Sequence, residues 1–211
     1  MKKNNLVKDA IRRIGRPLSF DRDEALKLAM LTFWQHGYET TSISDLTAAM
    51  GVTAPSIYAA FGNKQKLFIE AVNLYIGNPE LVALAIKDAP TALEAARDLM
   101  ISAAIAYTGE TTPQGCLLAS ATASGSVSSA EVRTIVADIR KTLTNLLRKR
   151  IASDVAKGLL PINTDTAALA TLVMAILPGL SVLARDGIPR ACLLSVVDAS
   201  LSAWPVMSRE L

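Results

Sequence analysis

The chain has 211 residues, 51% of them hydrophobic, and a formal net charge of +3. Such a chain can bury a core in one large or two small domains, which excludes an intrinsically disordered protein. The surplus positive charge lies in residues 1–66, with 10 Lys and Arg against 6 Asp and Glu; this favours an acidic or phosphate-bearing partner, although an ordinary basic tail explains it equally well.

Capping residues and apolar spacing predict four short helices in this basic third of the chain. Asp21, Thr53 and Asn63 are suited to cap helices, because their side chains accept hydrogen bonds from unpaired backbone N–H groups. Gly37 supplies the left-handed stop expected after the first helix. The four helices are predicted from Asp21 to Gly37, from Ser42 to Met50, from Ala54 to Phe61 and from Lys64 to about Ile76.

Longer helices are predicted for the rest of the chain, where no strand-like alternation is convincing. Gly and Pro turn signals separate helices at roughly residues 80–88, 91–107, 115–124, 128–157, 164–186 and 190–204. The basic run Arg148-Lys149-Arg150 is interpreted as a solvated helix face. The sequence therefore predicts an all-α protein, with a change of composition near residues 77–79.

One apolar segment is a candidate membrane span. Residues 167–184 contain no charged side chain, and 18 such residues are at the threshold for crossing a bilayer. Pro178 and Gly179 interrupt the segment, and Asp165 and Arg185 flank it. We interpret it as a helix buried between its own core and a partner subunit, and we expect no membrane association.

The second and third helices are joined by only three residues, Gly51-Val52-Thr53. So tight a turn makes the two helices cross steeply. The third helix then projects from the surface, while Leu46 and Met50 hold the second against the first. A projecting helix of this kind fits the major groove of DNA, which is about 12 Å wide. We therefore predict a helix-turn-helix DNA-binding domain.

Motifs in this region carry a resemblance to a known family. They lie within GRPLSFDRDEALKLAMLTFWQHGYETTSISDLTAAMGVTAPSIYAAFGNKQKLFIEAV, and include Phe33, Gly37-Tyr38, the Gly51-Val52 turn, Ser56-Ile57-Tyr58, Phe61 and Asn63-Lys64. In this stretch, residues 15–72, the chain resembles the DNA-binding domain of the TetR/AcrR family of bacterial repressors. The family more often has His or Phe-His where this chain has Ala59-Ala60, so contacts at those two positions are not carried over.

The resemblance implies a ligand-responsive repressor that binds a palindromic operator in double-stranded DNA as a homodimer and is released by a small molecule. It also implies three parts of the chain. Residues 1–18 form a basic arm, residues 19–66 form the helix-turn-helix domain, and residues 67–211 form a helical effector-binding and dimerisation domain that the fourth helix joins to it.

The resemblance further implies which residues contact DNA. They are Thr41, Ser42, Thr53, Ala54, Pro55, Ser56, Tyr58, Lys64 and Arg16. The first two, with Tyr58 and Lys64, are expected to hold phosphates, and the others on the third helix to face bases. No residue there can make a bidentate base contact, so specificity is expected to depend on DNA shape and on the arginines of the arm. As alternatives, Tyr58 packs in the domain core, Lys64 is merely solvated, and the hydroxyl residues of the third helix only cap it.

The larger helical domain is expected to bind an unknown small molecule. Its pocket walls are predicted from the helices at 91–107, 115–124 and 128–157. The candidate lining residues, each of which suits a plain core equally well, are Met100, Tyr107, Cys116, Leu117 and Ile139. Cys116 supports an alternative function, a redox or electrophile sensor of the same fold, and its opposing interpretation is a small buried residue.

No constellation of residues suited to catalysis or metal binding is evident. The one histidine, His36, is explained by the C-terminal end of the first helix, and the two cysteines, Cys116 and Cys192, form no CxxC motif. We therefore expect no catalytic residue, no metal and no cofactor. Because the N-terminal stretch lacks the apolar run of a secretory signal, we expect a cytoplasmic protein.

The last two predicted helices are expected to form the homodimer interface as two pairs in a four-helix bundle. They carry more apolar surface than one core can use. The predicted interface residues are Leu169, Leu172, Val173, Ile176, Leu180, Leu183, Leu193, Val197 and Leu201. Because a two-fold protein reads a two-fold site, we expect a near-palindromic operator.

Overall fold

The computed structural model describes residues 20–120 and 130–205, and all regular secondary structure in those ranges is helical. The helices are α1 (Arg22–His36), α2 (Ile43–Met50), α3 (Ala54–Phe61), α4 (Lys64–Ile76), α5 (Pro79–Asp88), α6 (Ala92–Tyr107), α7 (Leu117–Ser120), α8 (Ala130–Ala156), α9 (Thr166–Arg185) and α10 (Arg190–Leu201). The predicted all-α class is confirmed. The helix predicted at 115–124 is described only as the four residues of α7.

Side-chain caps define where the first helices begin. The Asp21 carboxylate accepts hydrogen bonds from two backbone N–H groups of α1. Ser42 and Asp45 form a reciprocal capping box on α2, and Thr53 caps α3. Gly51 adopts the left-handed conformation, with φ +65°, that ends α2 and turns the chain into α3. The short join predicted from the sequence is therefore built by one cap and one glycine.

An N-terminal cluster of buried side chains holds α1 to α4 together. Phe68 of α4 lies edge-on to Phe33 of α1, with ring centroids 5.1 Å apart, and packs against Tyr38 at 4.9 Å. The cluster also takes in Leu117 of α7 and residues from the start of α8. Packing therefore continues through α4 across the predicted boundary between residues 66 and 67, and that boundary stays a prediction.

A second cluster is built from α6, α8, α9 and α10, and it contains a buried ion pair. Nη2 of Arg150 lies 3.1 Å from Oδ1 of Asp154, and the two side chains are only 9% and 2% exposed. Oδ2 of Asp154 accepts the backbone N–H of Ala92 at 2.6 Å, which ties α8 to the start of α6. Arg150 is therefore not part of a solvated face, unlike its exposed neighbours Arg148 and Lys149.

Among residues 20–120 and 130–205, two helical stretches are long and apolar enough to cross a membrane by length and composition alone. The most apolar 18-residue window has a mean hydropathy of 1.2 within residues 64–88 and of 2.2 within residues 166–185. Only 22% and 33% of these apolar windows are buried within the chain. Helix α9 packs one face against α6 and α8, so its opposite face remains an uncovered apolar surface.

Candidate DNA-binding surface, cavity and dimer face

Helix α3 presents a small, uncharged face to solvent. Ile57 and Phe61 are buried against the rest of the domain. The exposed or partly exposed positions are Thr53, Ala54, Pro55, Ser56, Tyr58, Ala59 and Ala60. Tyr58 is 48% exposed, so the alternative that its ring packs in the core is excluded. The residues of α3 predicted to contact DNA thus lie together on one accessible surface.

Two basic side chains lie at the start of α4, the helix that follows α3. Nζ of Lys64 donates to the carbonyl oxygen of Glu39 at 3.3 Å and lies 4.6 Å from the centroid of the Tyr38 ring. Partial burial lowers the pKa of Lys64, although the nearby carboxylates of Glu39 and Asp45 oppose this effect. Lys64 is thus held in place and is not merely solvated. Lys66, which the sequence prediction omitted, is exposed and lays its stem against Gly62 at the end of α3.

The prediction that the Thr41 hydroxyl contacts a phosphate is wrong for this structure. Thr41 is fully buried, and its hydroxyl donates to the Gly37 carbonyl oxygen at 2.6 Å to close the loop between α1 and α2. Thr40 is the exposed hydroxyl residue at this corner, and its hydroxyl donates to the His36 carbonyl oxygen. Nothing in the sequence distinguishes the two threonines, because only the path of the loop decides which one points inward.

Ser42 is exposed, but its polar groups are already used. Its backbone N–H and its hydroxyl each donate to the Asp45 carboxylate at 2.8 Å. The hydrogen bond from the Ser42 backbone N–H has the larger effect and the one from its hydroxyl the smaller, and both lower the pKa of Asp45. A phosphate at this helix start would therefore have to displace the Asp45 carboxylate or use the N–H groups that follow Ser42.

Arg22 positions α3 relative to α1 and α4. Its Nη2 donates to the two carboxylate oxygens of Glu70 at 2.9 and 2.7 Å and to the Ala60 carbonyl oxygen at 3.4 Å. Its guanidinium also lies 4.4 Å from the centroid of the Phe61 ring. The sequence analysis missed this residue, since its partners are 38 or more positions away. The other predicted arginine contacts, Arg16 and its neighbours in the arm, lie outside the described residues.

A cavity of about 1260 Å³ lies between α1 and α4 on one side and α6, α8 and α9 on the other. Three of the five predicted lining residues, Tyr107, Cys116 and Ile139, line it. Met100 and Leu117 are fully buried in the two clusters and are absent from its wall, so those two predictions are wrong. The wall is mostly apolar and includes side chains of α1, α4, α5 and α9 that the sequence analysis did not assign to it.

Cys116 lies in the cavity wall between two tyrosines. The Tyr75 hydroxyl donates to Sγ of Cys116 at 3.4 Å, and the Tyr107 phenol lies near the same sulfur. Burial, followed by the proximity of Cys116, raises the pKa of both phenols far above the usual range. Both phenols therefore stay protonated and available as hydrogen-bond donors to the sulfur. Cys192, in contrast, is exposed on α10.

The backbone next to Cys116 connects α1 to α9. The indole N–H of Trp34 donates to the Gly115 carbonyl oxygen at 2.9 Å, and Nη2 of Arg185 donates to the Trp34 carbonyl oxygen at 2.7 Å. The Cys116 N–H donates to the buried Ser181 hydroxyl at 2.8 Å. Because Trp34 also lines the cavity, a molecule bound there would directly contact α1, the first helix of the predicted helix-turn-helix domain.

The structure turns eight of the nine predicted dimer residues toward the core of the single chain. Five of them, Val173, Leu180, Leu193, Val197 and Leu201, are buried within the single chain. Leu169, Ile176 and Leu183 are partly buried against the same core. Leu172, at 38% exposed, is the predicted residue that is open to solvent. The buried five therefore cannot supply a surface to a partner.

A different set of small apolar residues forms the exposed faces of these helices. On α9 they are Ala168, Leu172, Ala175, Gly179 and Val182, and near and on α10 they are Cys192, Val196, Ala199 and Ala203. Each set alternates steps of four and three residues, which is the spacing of a seam between packed helices. We call these two stripes the dimer face.

Within residues 20–120 and 130–205, no group of three or more His, Cys, Asp or Glu side chains is arranged to hold a metal ion. His36 is exposed in the last turn of α1, where a helix C-terminus favours a basic group.

Comparisons with known proteins cover both parts of the chain. Residues 25–71 match the family model described as "Bacterial regulatory proteins, tetR family", and residues 92–194 match that described as "Tetracyclin repressor-like, C-terminal domain". The HTH-type transcriptional repressor ComR of Escherichia coli strain K12 is 33% identical over 193 residues, which cover 90% of this chain and 92% of that repressor.

Solved structures give the same result. A cysteine-substituted variant of the TetR family transcriptional regulator CifR, complexed with 26-bp double-strand operator DNA, has a TM-score of 0.84 at 41% identity and covers 90% of this chain and 100% of its own. NalD, the secondary repressor of the MexAB-OprM multidrug efflux pump in Pseudomonas aeruginosa, has a TM-score of 0.71 at 20% identity and covers 90% of this chain and 96% of its own. The second similarity concerns the fold alone.

Proposed function

Because the chain belongs to the TetR family of bacterial regulatory proteins, and so is a DNA-binding transcriptional regulator and not an enzyme, we propose that it represses transcription in the cytoplasm. It binds a palindromic operator as a homodimer and leaves it when a small molecule fills the cavity. In this proposal residues 1–18 are a basic arm, residues 19–66 bind DNA, and residues 67–211 bind the effector and form the dimer.

The observation that carries this proposal is the face of α3. Its exposed side chains are mostly small enough to enter a major groove, and Tyr58 on α3 and Lys64 at the start of α4 carry groups that can hold phosphates. The relative CifR, which is 41% identical, has been solved on its operator. Arg22 supports the same function, because it fixes α3 against α1 and α4.

The DNA-binding part is tested with Lys64→Ala. Removing this ammonium should weaken binding to all duplexes by a similar factor and reduce the slope of log affinity against log salt by about one unit. Fluorescence anisotropy with operator and random duplexes at several salt concentrations measures both effects. Lys157→Ala is the matched control, since Lys157 is exposed at the end of α8, far along the chain from α3. Unchanged affinity and slope for Lys64→Ala would refute this docking.

The homodimer uses the dimer face of α9 and α10. Two copies of the two stripes would form a four-helix bundle, and the small residues let the helices approach closely. Val182→Glu places a charge in the stripe and should shift the protein from dimer to monomer in sedimentation at micromolar concentration. Lys149→Glu, on the exposed side of α8, should leave the dimer intact. A monomeric wild-type protein that still binds the operator tightly would contradict the dimer.

Release by a small molecule follows from the position of the cavity. Its wall includes residues of α1 and α4, so a ligand that fits better when these helices shift would change the spacing of the two α3 helices in a dimer. The two half-sites of an operator lie about 34 Å apart per helical turn, so two α3 helices at a different spacing could not enter both half-sites. Thermodynamic coupling between two sites is reciprocal. If the ligand weakens operator binding by some factor, the operator must therefore weaken ligand binding by the same factor. A compound found by thermal-shift screening should therefore titrate more weakly in the presence of operator, and equal affinities would leave a constitutive repressor.

A second candidate function is a redox or electrophile sensor acting through Cys116. Its sulfur lies in the wall of the cavity, where a small electrophile that enters the cavity can reach it, and it accepts a hydrogen bond from the Tyr75 hydroxyl. The proposal predicts that N-ethylmaleimide, which forms a thioether with the sulfur, reduces operator affinity in the wild type and in Cys192→Ser, but not in Cys116→Ser. Loss of affinity in Cys116→Ser as well would assign the effect to Cys192.

A further inference from the structure

Helix α3 lacks the side chains that usually read base pairs. Residues 54–61 are APSIYAAF, without Arg, Lys, Asn, Gln, Asp, Glu or His. Paired hydrogen bonds from Arg or Lys to guanine and from Asn or Gln to adenine are the common means of recognition in the major groove. A helix of this composition must read sequence in another way.

The hydroxyl groups of Thr53 and Ser56 have little hydrogen-bonding capacity left for base edges. The hydroxyls of Thr53 and Ser56 bond to each other at 2.9 Å, so one of their two hydrogens is already used. The Thr53 hydroxyl oxygen also accepts a hydrogen bond from the Ser56 N–H at 3.4 Å. This bond turns the oxygen toward the helix and leaves the Thr53 methyl group free for an apolar contact. Pro55 has no N–H to donate. The exposed face therefore offers mainly carbon, from Thr53, Pro55 and Ala59.

We propose that α3 recognises thymine by its C5 methyl group, through apolar contacts from Thr53, Pro55 and Ala59. The thymine methyl is the apolar feature of the major groove, and small apolar side chains are its complement. The inference rests on the proposed function, in which α3 enters that groove. Each buried methyl is worth about fourfold in affinity, so a symmetric loss in both half-sites of a palindrome should cost about 15-fold.

The test uses the full-length protein and a duplex that it selects from a random-sequence pool. Each T·A pair of the half-site is replaced symmetrically by U·A, by 5-methylcytosine·G and by C·G. Uracil removes the methyl and keeps every hydrogen-bonding edge, whereas 5-methylcytosine keeps the methyl and changes the edges. At one or more positions the uracil duplex should bind about 15-fold more weakly, and the 5-methylcytosine duplex more tightly than its cytosine counterpart.

Equal affinity for thymine and uracil duplexes at every position would overturn the inference. So would a 5-methylcytosine duplex that binds no better than cytosine at the sensitive positions. Failure to select any duplex from the pool is a different result, because it removes the proposed DNA-binding function itself.

The protein side has a conservative variant. Thr53→Ser removes only the methyl and keeps the hydroxyl that caps α3, so the helix should remain in place by circular dichroism. This variant, or Pro55→Ala, should lower the ratio of thymine to uracil affinity, whereas Lys64→Ala should lower both affinities and keep the ratio. An unchanged ratio in both Thr53→Ser and Pro55→Ala would overturn the assignment of methyl reading to this face.

Discussion

Replacing Gly115 with Ala should disrupt the connection between α1 and α9. The backbone at Gly115 has φ +81°, and a Cβ added there would lie 2.6 Å from Nε and 2.8 Å from Cγ of Arg185. Arg185 is not free to move aside without loss, because its Nη2 donates to the Trp34 carbonyl oxygen at 2.7 Å. The added methyl therefore forces both a strained backbone and the displacement of Arg185.

The size of the effect follows from these two parts. An L-residue in the left-handed region costs about 1 to 2 kcal/mol, of which the lower chain entropy of unfolded Ala offsets about 0.4 to 1 kcal/mol. Breaking a hydrogen bond from a charged group costs about 1.5 to 3 kcal/mol. We use the lower value, about 1.5 kcal/mol, because Arg185 is exposed and water can replace the lost bond. We expect Gly115→Ala to lower the free energy of unfolding by about 2 to 3 kcal/mol.

Urea unfolding followed by circular dichroism measures this loss, and the chain supplies a matched control. Gly158 has φ +71° with no neighbouring atom within 4 Å of an added Cβ, so Gly158→Ala should cost only about 1 kcal/mol. In an Arg185→Ala background the cost of Gly115→Ala should fall to that same value. Equal costs of Gly115→Ala with and without Arg185 would refute the reasoning.

Three further predictions concern other parts of the molecule. Arg22→Met should lower the free energy of unfolding by about 1 kcal/mol, since the pair with Glu70 is about one third exposed, and should weaken operator binding in anisotropy because α3 loses its anchor; wild-type affinity would contradict this. Asp154→Asn should cost about 3 to 5 kcal/mol in urea unfolding because Arg150 stays buried, against less than about 1 kcal/mol for Asp138→Asn in the exposed pair with Lys141; similar losses would argue against it. Because its bonds with Ser42 lower the pKa of Asp45 in the folded state, the stability they contribute is present above the unfolded pKa and is lost as the pH falls below about 4. Asp45→Asn should flatten that part of the pH profile, and an unchanged profile would show that the cap contributes nothing.

The sequence predicted the first four helices well, because their signals are local. Asp21, Ser42 and Thr53 bond to backbone groups within three residues, and the left-handed conformation of Gly51 needs no distant partner. The exposed face of α3 followed from the same information. Once Ile57 and Phe61 are turned inward by the helical repeat, the small residues between them must face outward.

The cavity was predicted only in part, because its wall is assembled from segments far apart in the chain. Cys116 acquires its two phenol partners from α4 and α6, and Trp34 reaches the wall from the DNA-binding domain. Met100 and Leu117 have the same apolar character as true lining residues, and only packing placed them inside the two clusters.

Helix α9 shows most clearly what the sequence by itself determined and what it left to the tertiary structure. A run of 18 uncharged residues specifies a helix that is apolar all round, with more surface than one core covers. Such a helix contains several apolar stripes, and local sequence favours none of them. Contact with α6 and α8 decided the matter: Val173 and Leu180 went into the core, and Leu172, Ala175 and Val182 were left on the outside. The physical reason is that burial depends on both surfaces in contact, so turning the helix by one residue exchanges core residues for exposed ones.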